Sequence, residues 1–519
     1  MIRHYGPMGW RNVHATQETY LEDLVELDNV AEPGSPGAGA LRRGFDLLRH
    51  AASDLDALVR DARGRRQIVR GLGAAWAHTD ISITKGRLLN TKLLNACFDV
   101  GDRLFDSKYE SKKRPFLVLA QCGISMGELN RHLEVTATNG LRRALKTAGI
   151  GAGQTVVGAV AGNTHGAALN FGSTPDFVVG LHLVTGAGQS WWIERASQPV
   201  LNAGFAEELG AELLRDDEVF DAALVSFGAF GMIAAVAIET EELYDLEFAK
   251  VEELPRRRLI ERLEARMWWV EPFLHHAEFV FDPNSSDTML ALAHRRPRDP
   301  SQHRLPAKPT WIVRDAQGFA PGDRLGGVPF TLPIPPRMTT ELQFREYRER
   351  GILDDVRGTP GQLFTATITY LEGYIESALA VSINDARRTI EICSSVLRER
   401  KLASIGQVRI VHPSRALLAF TRFAPKTLVF EFAAANDASF PLLEQNLSHA
   451  LDCSGIPHAY HWSKNSGLTP ERLERSYGRA TLDKWKRARE RVFRGDLEAM
   501  RVFDNAHCER LGLTTPVAQ

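Results

Sequence analysis

The 519-residue sequence predicts an α+β protein of two or three domains, and three stretches carry that expectation. From Ser53 a run with apolar residues at helical spacing leads into a short strand and a glycine turn, Gln67 to Ile81. Gly149–Gly166 is the densest run of glycines and small residues in the chain. After about Glu242 the pattern changes to charged helices and alternating strands between proline-rich connections such as Pro329–Pro336, which predicts a second unit.

Taken in order, residues 17–30 read as a short polar helix ended by the Pro/Gly linker Ala31–Ala40. Ser53 reads as the N-cap of the next helix, and Gln67 to Arg70 as the strand it feeds. A dinucleotide-binding reading of Gly71-Leu-Gly73 fails: the sixth position of G-x-G-x-x-G is Trp76, and no amphipathic helix follows. Ser125 and Glu128 stand in the capping-box relation at the start of a further helix. In Gly149–Gly166 the glycines suit a main chain that turns tightly or lies against a ligand, with N–H groups able to bind an anion such as a pyrophosphate. An ordinary glycine-rich turn pair between strands is the alternative. Phe177–Gly188 reads as strand and turn, and Phe220–Ile238 as helix, glycine corner and strand. In the second unit, strands are expected at His276–Phe281, Leu363–Tyr370, Ile405–Val411 and Thr427–Phe432, with a helix over Asp385–Leu397.

Sixty-three basic and 64 acidic residues are mixed along the chain, giving a net charge of -1 and no field to draw in nucleic acid or an anionic membrane. Five cysteines without a Cys-x-x-Cys pair favour reduced thiols and a cytoplasmic setting. No run of about 18 apolar residues is present, and the N-terminus lacks an apolar signal core. His458 and His461 are three apart, but no third ligand stands near them, so no metal site is expected.

Four segments in order, the turn after Gln67, Gly149–Gly166, Phe177–Gly188 and Phe220–Ile238, resemble the FAD-binding domain of the vanillyl-alcohol oxidase / p-cresol methylhydroxylase (PCMH-type) superfamily. The strings Leu89–Asn95, Ala120–Asn130 and Asn163-Thr-His-Gly166 resemble its sugar-lactone and alditol oxidase branch, as do the tail elements His458–Lys464 and Arg501–Gly512. The resemblance implies a two-subdomain FAD-binding domain over 1–244 (core about 50–240), a cap over 245–450 with a mainly antiparallel sheet, and a segment 451–519 returning to the first domain. It implies FAD contacts at Gly71, Gly73, Ala74, Ala75, Trp76 and Ala77. Further contacts are implied at Thr155, Gly158, Asn163, Thr164, His165 and Gly166, and at Gly228, Gly231, Ile233 and Asn505. Many relatives join FAD covalently to a histidine at the position of Trp76. An indole cannot make that bond, so non-covalent FAD is expected, with His78 as a displaced alternative.

Alcohol oxidation by a flavin needs a C–H aimed at the ring, a group to take the hydroxyl proton, and positive charge beside the ring edge that becomes anionic. The resemblance places Lys464 in the last role. His461 is a candidate base or donor. The branch's Glu-x-Arg pair is matched by Gln407-Val-Arg409, with both side chains on one strand face. A neutral amide accepts no proton as a base, so Glu431 on the next strand is a candidate to supply the missing carboxylate. The expected activity is an FAD-dependent oxidase or dehydrogenase moving a hydride from a small polar donor, such as a sugar-like compound or biosynthetic intermediate, to the flavin. Dioxygen or another acceptor would reoxidise it. An NAD(P)H-dependent flavin reductase and a redox-inactive flavin-binding protein are the alternatives. Substrate identity and oligomeric state are not legible.

Overall fold

The computed structural model describes residues 1–29, 40–137, 140–147, 149, 151–188, 190–265, 274–283, 288–297, 357–363, 374–400, 405–435, 440–464 and 466–515. The linker 31–39, Pro329–Pro336 and residues 364–370 of one expected strand lie outside them.

The first unit holds two sheets. One orders the strands Ile2–His4, Asp23–Asp28, Arg87–Leu93 and Val69–Leu72, with the last three parallel. Residues 17–30 are therefore not a helix: Glu18–Leu21 and Asp23–Asp28 are strands. In the second of these, buried Val25 and Leu27 alternate with half-buried Glu26 and Asp28, a period of two that overrides the polar composition. The helix expected from Ser53 begins at Ala40 and runs to Gly64, so Ser53 lies inside it and caps nothing. Its buried stripe, Leu48, Ala51, Ala52, Leu55, Leu58, Val59 and Ala62, has the spacing of one helix face. The second sheet orders Glu212–Arg215, Trp191–Glu194, Val178–Val184, Met232–Glu239, Leu117–Gln121 and Cys97–Asp99. The Ser125–Glu128 capping box is present at the start of the helix Met126–Val135.

The second unit is an eight-stranded antiparallel sheet. Its order is Arg357–Gly358, Leu246–Pro255, Thr288–Arg295, Leu274–Phe281, Gly406–Val411, Thr427–Ala435, Tyr374–Ser382 and His458–Tyr460. The helices Arg256–Glu264, Ala386–Glu399 and Phe440–Cys453 pack beside one another against it. Alternation sorts the side chains of this sheet. Phe432 meets Phe440 on the helix side, and Val408, Ile410, Leu428 and Phe430 share that buried face. Glu278, Gln407, Arg409, Glu431 and Glu376 fall on the other. After the edge strand His458–Tyr460 the tail crosses back: the helix Arg479–Val492 packs on Asp217–Leu224, and Trp485 stacks on Phe227. No described helix is long and apolar enough to cross a membrane.

Candidate functional site: a glycine-walled cleft and a charged row

Three segments of the first unit meet around an open cleft of about 1050 Å³, counting the part open to solvent. The first is the turn where strand Val69–Leu72 runs out through Gly73–Ala77, with Ala75 at φ +60. The second is the start of helix Val156–Ala161, where the Thr155 hydroxyl accepts from Gly158 N at 3.3 Å. The third is the corner Phe227–Gly231, where Gly228 and Gly231 have φ +80 and +120, a conformation that favours glycine. A Cβ on Gly73 would fall inside contact distance of Thr155 Oγ1, so only glycine lets the first two walls close up. Among the described residues, the main-chain N–H groups of Gly73 to Ala77 have no hydrogen-bond partner. Successive unpaired N–H groups in a turn are a seat for an anion.

Twelve of the residues expected to touch a cofactor line this cleft: Gly71, Gly73, Ala74, Ala75, Trp76 and Ala77, then Thr155, Gly158 and Thr164, then Gly228, Gly231 and Ile233. The Trp76 indole lies across the glycine stretch, since a Cβ on Gly151 or Gly153 would come within 2.9 or 2.6 Å of it. His78 is turned inward: it is buried and stacks on His14 with ring centroids 4.0 Å apart, and burial lowers its pKa to about 3. Four expected residues do not line the cleft. Asn163 latches the glycine stretch to its surroundings, donating to Ser173 Oγ at 2.8 Å and accepting from Phe420 N at 2.7 Å. Asn505 donates to the carbonyls of Asp80, Ile81 and Ile83, which ties the tail to the turn after the first wall. His165 and Gly166 lie toward the cap, where His165 Nδ1 meets the Gly166 carbonyl at 3.0 Å.

The charged row begins there. Glu431 is buried and touches three groups: Lys464 Nζ at 2.6 Å, the Arg409 guanidinium, and His165 Nε2 at 3.4 Å. Arg409 Nη2 also donates to Glu278 Oε1 at 3.1 Å and to Gln407 Oε1 at 3.2 Å. Lys464 reaches a second carboxylate, Glu376, at 3.0 Å. Strand register explains the row: Gln407 pairs with Glu431, and Arg409 with Glu278. Thus the carboxylate absent at Gln407 stands directly across the ladder on the next strand, about 5 Å away.

Burial alone would raise the Glu431 carboxyl, but Arg409, then Lys464 and His165, hold it well below its ordinary range. Burial would lower the Lys464 ammonium, and Glu376 and Glu431 reverse this and raise it. His461 is pushed well below its usual pKa by burial and by Lys464. Its Nδ1 accepts from Ser463 N at 3.1 Å, so the neutral ring carries its proton on Nε2 and acts there as a donor rather than a base.

Sequence reasoning missed four participants. Arg70 lines the cleft and is buried, donating to the carbonyls of Phe503 at 3.1 Å, Ile81 and Phe227. A charge inside the apolar strand Val69–Leu72 was its signal. Ser463 lines the cleft beside Lys464. Glu278 and Glu376 carry no local signal: each is one acidic residue on an ordinary alternating strand, given meaning by its register.

A family model described as an FAD binding domain matches residues 48–194, which include two of the three cleft walls. L-gulono-1,4-lactone dehydrogenase of Mycobacterium tuberculosis is 24% identical over 476 residues, covering 88% of this chain and 94% of that protein. A putative D-arabinono-1,4-lactone oxidase of Neurospora crassa is 24% identical over 261 residues, 48% of this chain, and the match spans 40% of that protein's length. A cholesterol oxidase from Brevibacterium sterolicum, a His121Ala mutant, has the same fold with a TM-score of 0.65 at 14% identity, over 99% of this chain and 98% of that one. The unpaired N–H groups of Gly73–Ala77 and the close approach that glycine permits fit FAD, which is the cofactor of this domain.

Proposed function

We propose that this chain, an FAD-dependent oxidoreductase on the PCMH-type fold of the vanillyl-alcohol oxidase superfamily and similar to its sugar-lactone oxidase branch, oxidises a hydroxyl-bearing carbon of a small, polar, uncharged donor. One observation carries the reading: the row Lys464–Glu431–Arg409 begins one residue from Ser463 on the cofactor cleft and runs along the face of the cap sheet opposite its helices. Three carboxylates, Glu278, Glu376 and Glu431, stand there with two fixed cations, Arg409 and Lys464, a balance that disfavours an anionic donor.

Bound FAD supplies the two-electron acceptor. Lys464, held charged by its carboxylates, places an ammonium beside the cleft to stabilise negative charge. Arg409 and the Gln407 amide, on one strand face, orient hydroxyl or carbonyl oxygens of the donor. Glu431 is too strongly stabilised as a carboxylate to be an effective base. His165 Nε2, facing Glu431 Oε1, is the better proton acceptor: a proton arriving on the ring would be held against the carboxylate. Trp76 fills the place of the linking histidine, so the cofactor is held without a covalent bond.

The purified protein's absorption spectrum, before and after acid precipitation, tests the cofactor, and anaerobic mixing with sugar lactones and polyols tests the donor. Flavin bands that pass into the supernatant and bleach with a lactone or polyol are expected. Colour retained in the pellet would overturn non-covalent binding. Bleaching by NADPH but by no hydroxylated donor would replace the reading with a flavin reductase. Flavin that no donor or nicotinamide reduces would leave a binding protein.

A further inference from the structure

Lys464 is gripped from two sides. Its Nζ lies 2.6 Å from Glu431 Oε1 and 3.0 Å from Glu376 Oε2, which assigns two of its three N–H donors to carboxylates. The two acids come from neighbouring strands. Glu431 pairs with Ala378, so Glu376 lies two residues along the same sheet face, the diagonal position from which a long side chain still reaches the same point. They are not equivalent. Glu431 is also held by the Arg409 guanidinium, while Glu376 holds Lys464 from the neighbouring strand. Burial would raise the Glu376 carboxyl, but Lys464 and then His78 bring it down to about 2, so it is ionised at any working pH.

We propose that Glu376 is a positioning residue that fixes the Lys464 ammonium beside the cofactor cleft and offsets its charge, holding the reduction potential of the bound flavin below the value that Lys464 alone would set. The inference rests on the reading that Lys464 stands beside the flavin. Without Glu376 the lysine keeps one carboxylate, already shared with Arg409, and its charge is left to act on whatever lies in the cleft. Reduction of a flavin adds negative charge, so a less compensated ammonium favours the reduced form. The charge of Glu376 is also felt by His78, which follows the first cleft wall.

The test is the midpoint potential of the FAD-loaded protein, measured by dye equilibration, for wild type, E376Q and E376D. E376Q should retain FAD and favour two-electron reduction at least tenfold more, a positive shift of about 30 mV. E376D, which keeps the charge, should lie between E376Q and wild type. In a K464M background the E376Q shift should shrink markedly. If E376Q does not fold, E376A must give the same positive shift. An unchanged or more negative potential in a flavin-bearing variant would overturn the proposal, as would a full shift in the K464M background. Wild-type protein that binds no FAD would instead refute the functional reading on which it rests.

Discussion

The cleft and the charged row lie side by side, yet they are built from opposite materials. The cleft walls are main chain and small side chains, where closeness is the requirement: Gly73 against Thr155, and Gly151 and Gly153 under Trp76. The row is made of long charged side chains on separate strands, where compensation is the requirement: each cation is held by two carboxylates. A wall of the first kind fails when an atom is added. A row of the second kind fails when a charge is removed.

The largest effect is therefore expected from one added group in the cleft. Gly73→Val would drive its side chain into Thr155, the residue that caps the helix of the second wall. FAD affinity should fall at least a hundredfold, about 2.7 kcal/mol, and activity with it. Far-ultraviolet circular dichroism with FAD titration separates this from unfolding. Retention of FAD by a folded G73V protein would remove the first wall from the binding site.

The same contrast decides what the sequence could tell. The cleft was legible because each wall is a contiguous string: Gly71–Ala77, Thr155–Gly158 and Gly228–Ile233 announce themselves by small residues in a row. The row was legible only in part. Lys464, Arg409 and Glu431 were reachable through matching strings, but residues 278, 376, 409 and 431 are brought together by ladder register, which no local pattern encodes. Residues 17–30 misled for a related reason. Their composition is polar, and burial of Val25 and Leu27 on alternate positions, fixed by pairing with Arg87–Leu93, made strands of them.

A smaller but still large effect is expected from removing the charge at the centre of the row. Glu431→Gln leaves Lys464 and Arg409 facing a neutral amide, and truncating one partner of a buried pair costs about 3 kcal/mol. Turnover should drop about a hundredfold, since the proton on His165 loses its carboxylate. The pH dependence has a definite sign. Glu431 and Glu376 have folded pKa values below the ordinary 4.5, so their contribution to stability is fully present above that value. It is lost as pH falls below 4.5 and through the lowered folded values, about 2 for Glu376. Thermal melts from neutral to acid pH should show wild type losing more stability over this window than E431Q. Parallel curves would mean that the row does not hold Glu431 as a carboxylate.

The smallest effect on turnover is expected on the other face of the same sheet. Glu444, on helix Phe440–Cys453, is buried like Glu431, but there burial wins: it lifts the pKa to about 8, opposed only partly by Ser377 and Arg472. Its sign is the reverse of Glu431's. A carboxyl kept neutral in the fold gives stability that is complete below its unfolded value of 4.5 and is lost as pH rises through 8. Glu444→Gln should leave turnover within about twofold, because the helix packs on the face of the sheet opposite the row. It should also gain about 1 kcal/mol or more of stability over wild type by pH 7. Melting curves across this range, beside those of E431Q in acid, compare two buried carboxylates on opposite sides of one sheet, one stabilising as an anion and one as an acid. An E444Q protein with the wild-type slope would show that burial alone does not set the proton on this face, and that the contrast between the two faces lies in the cations of the row.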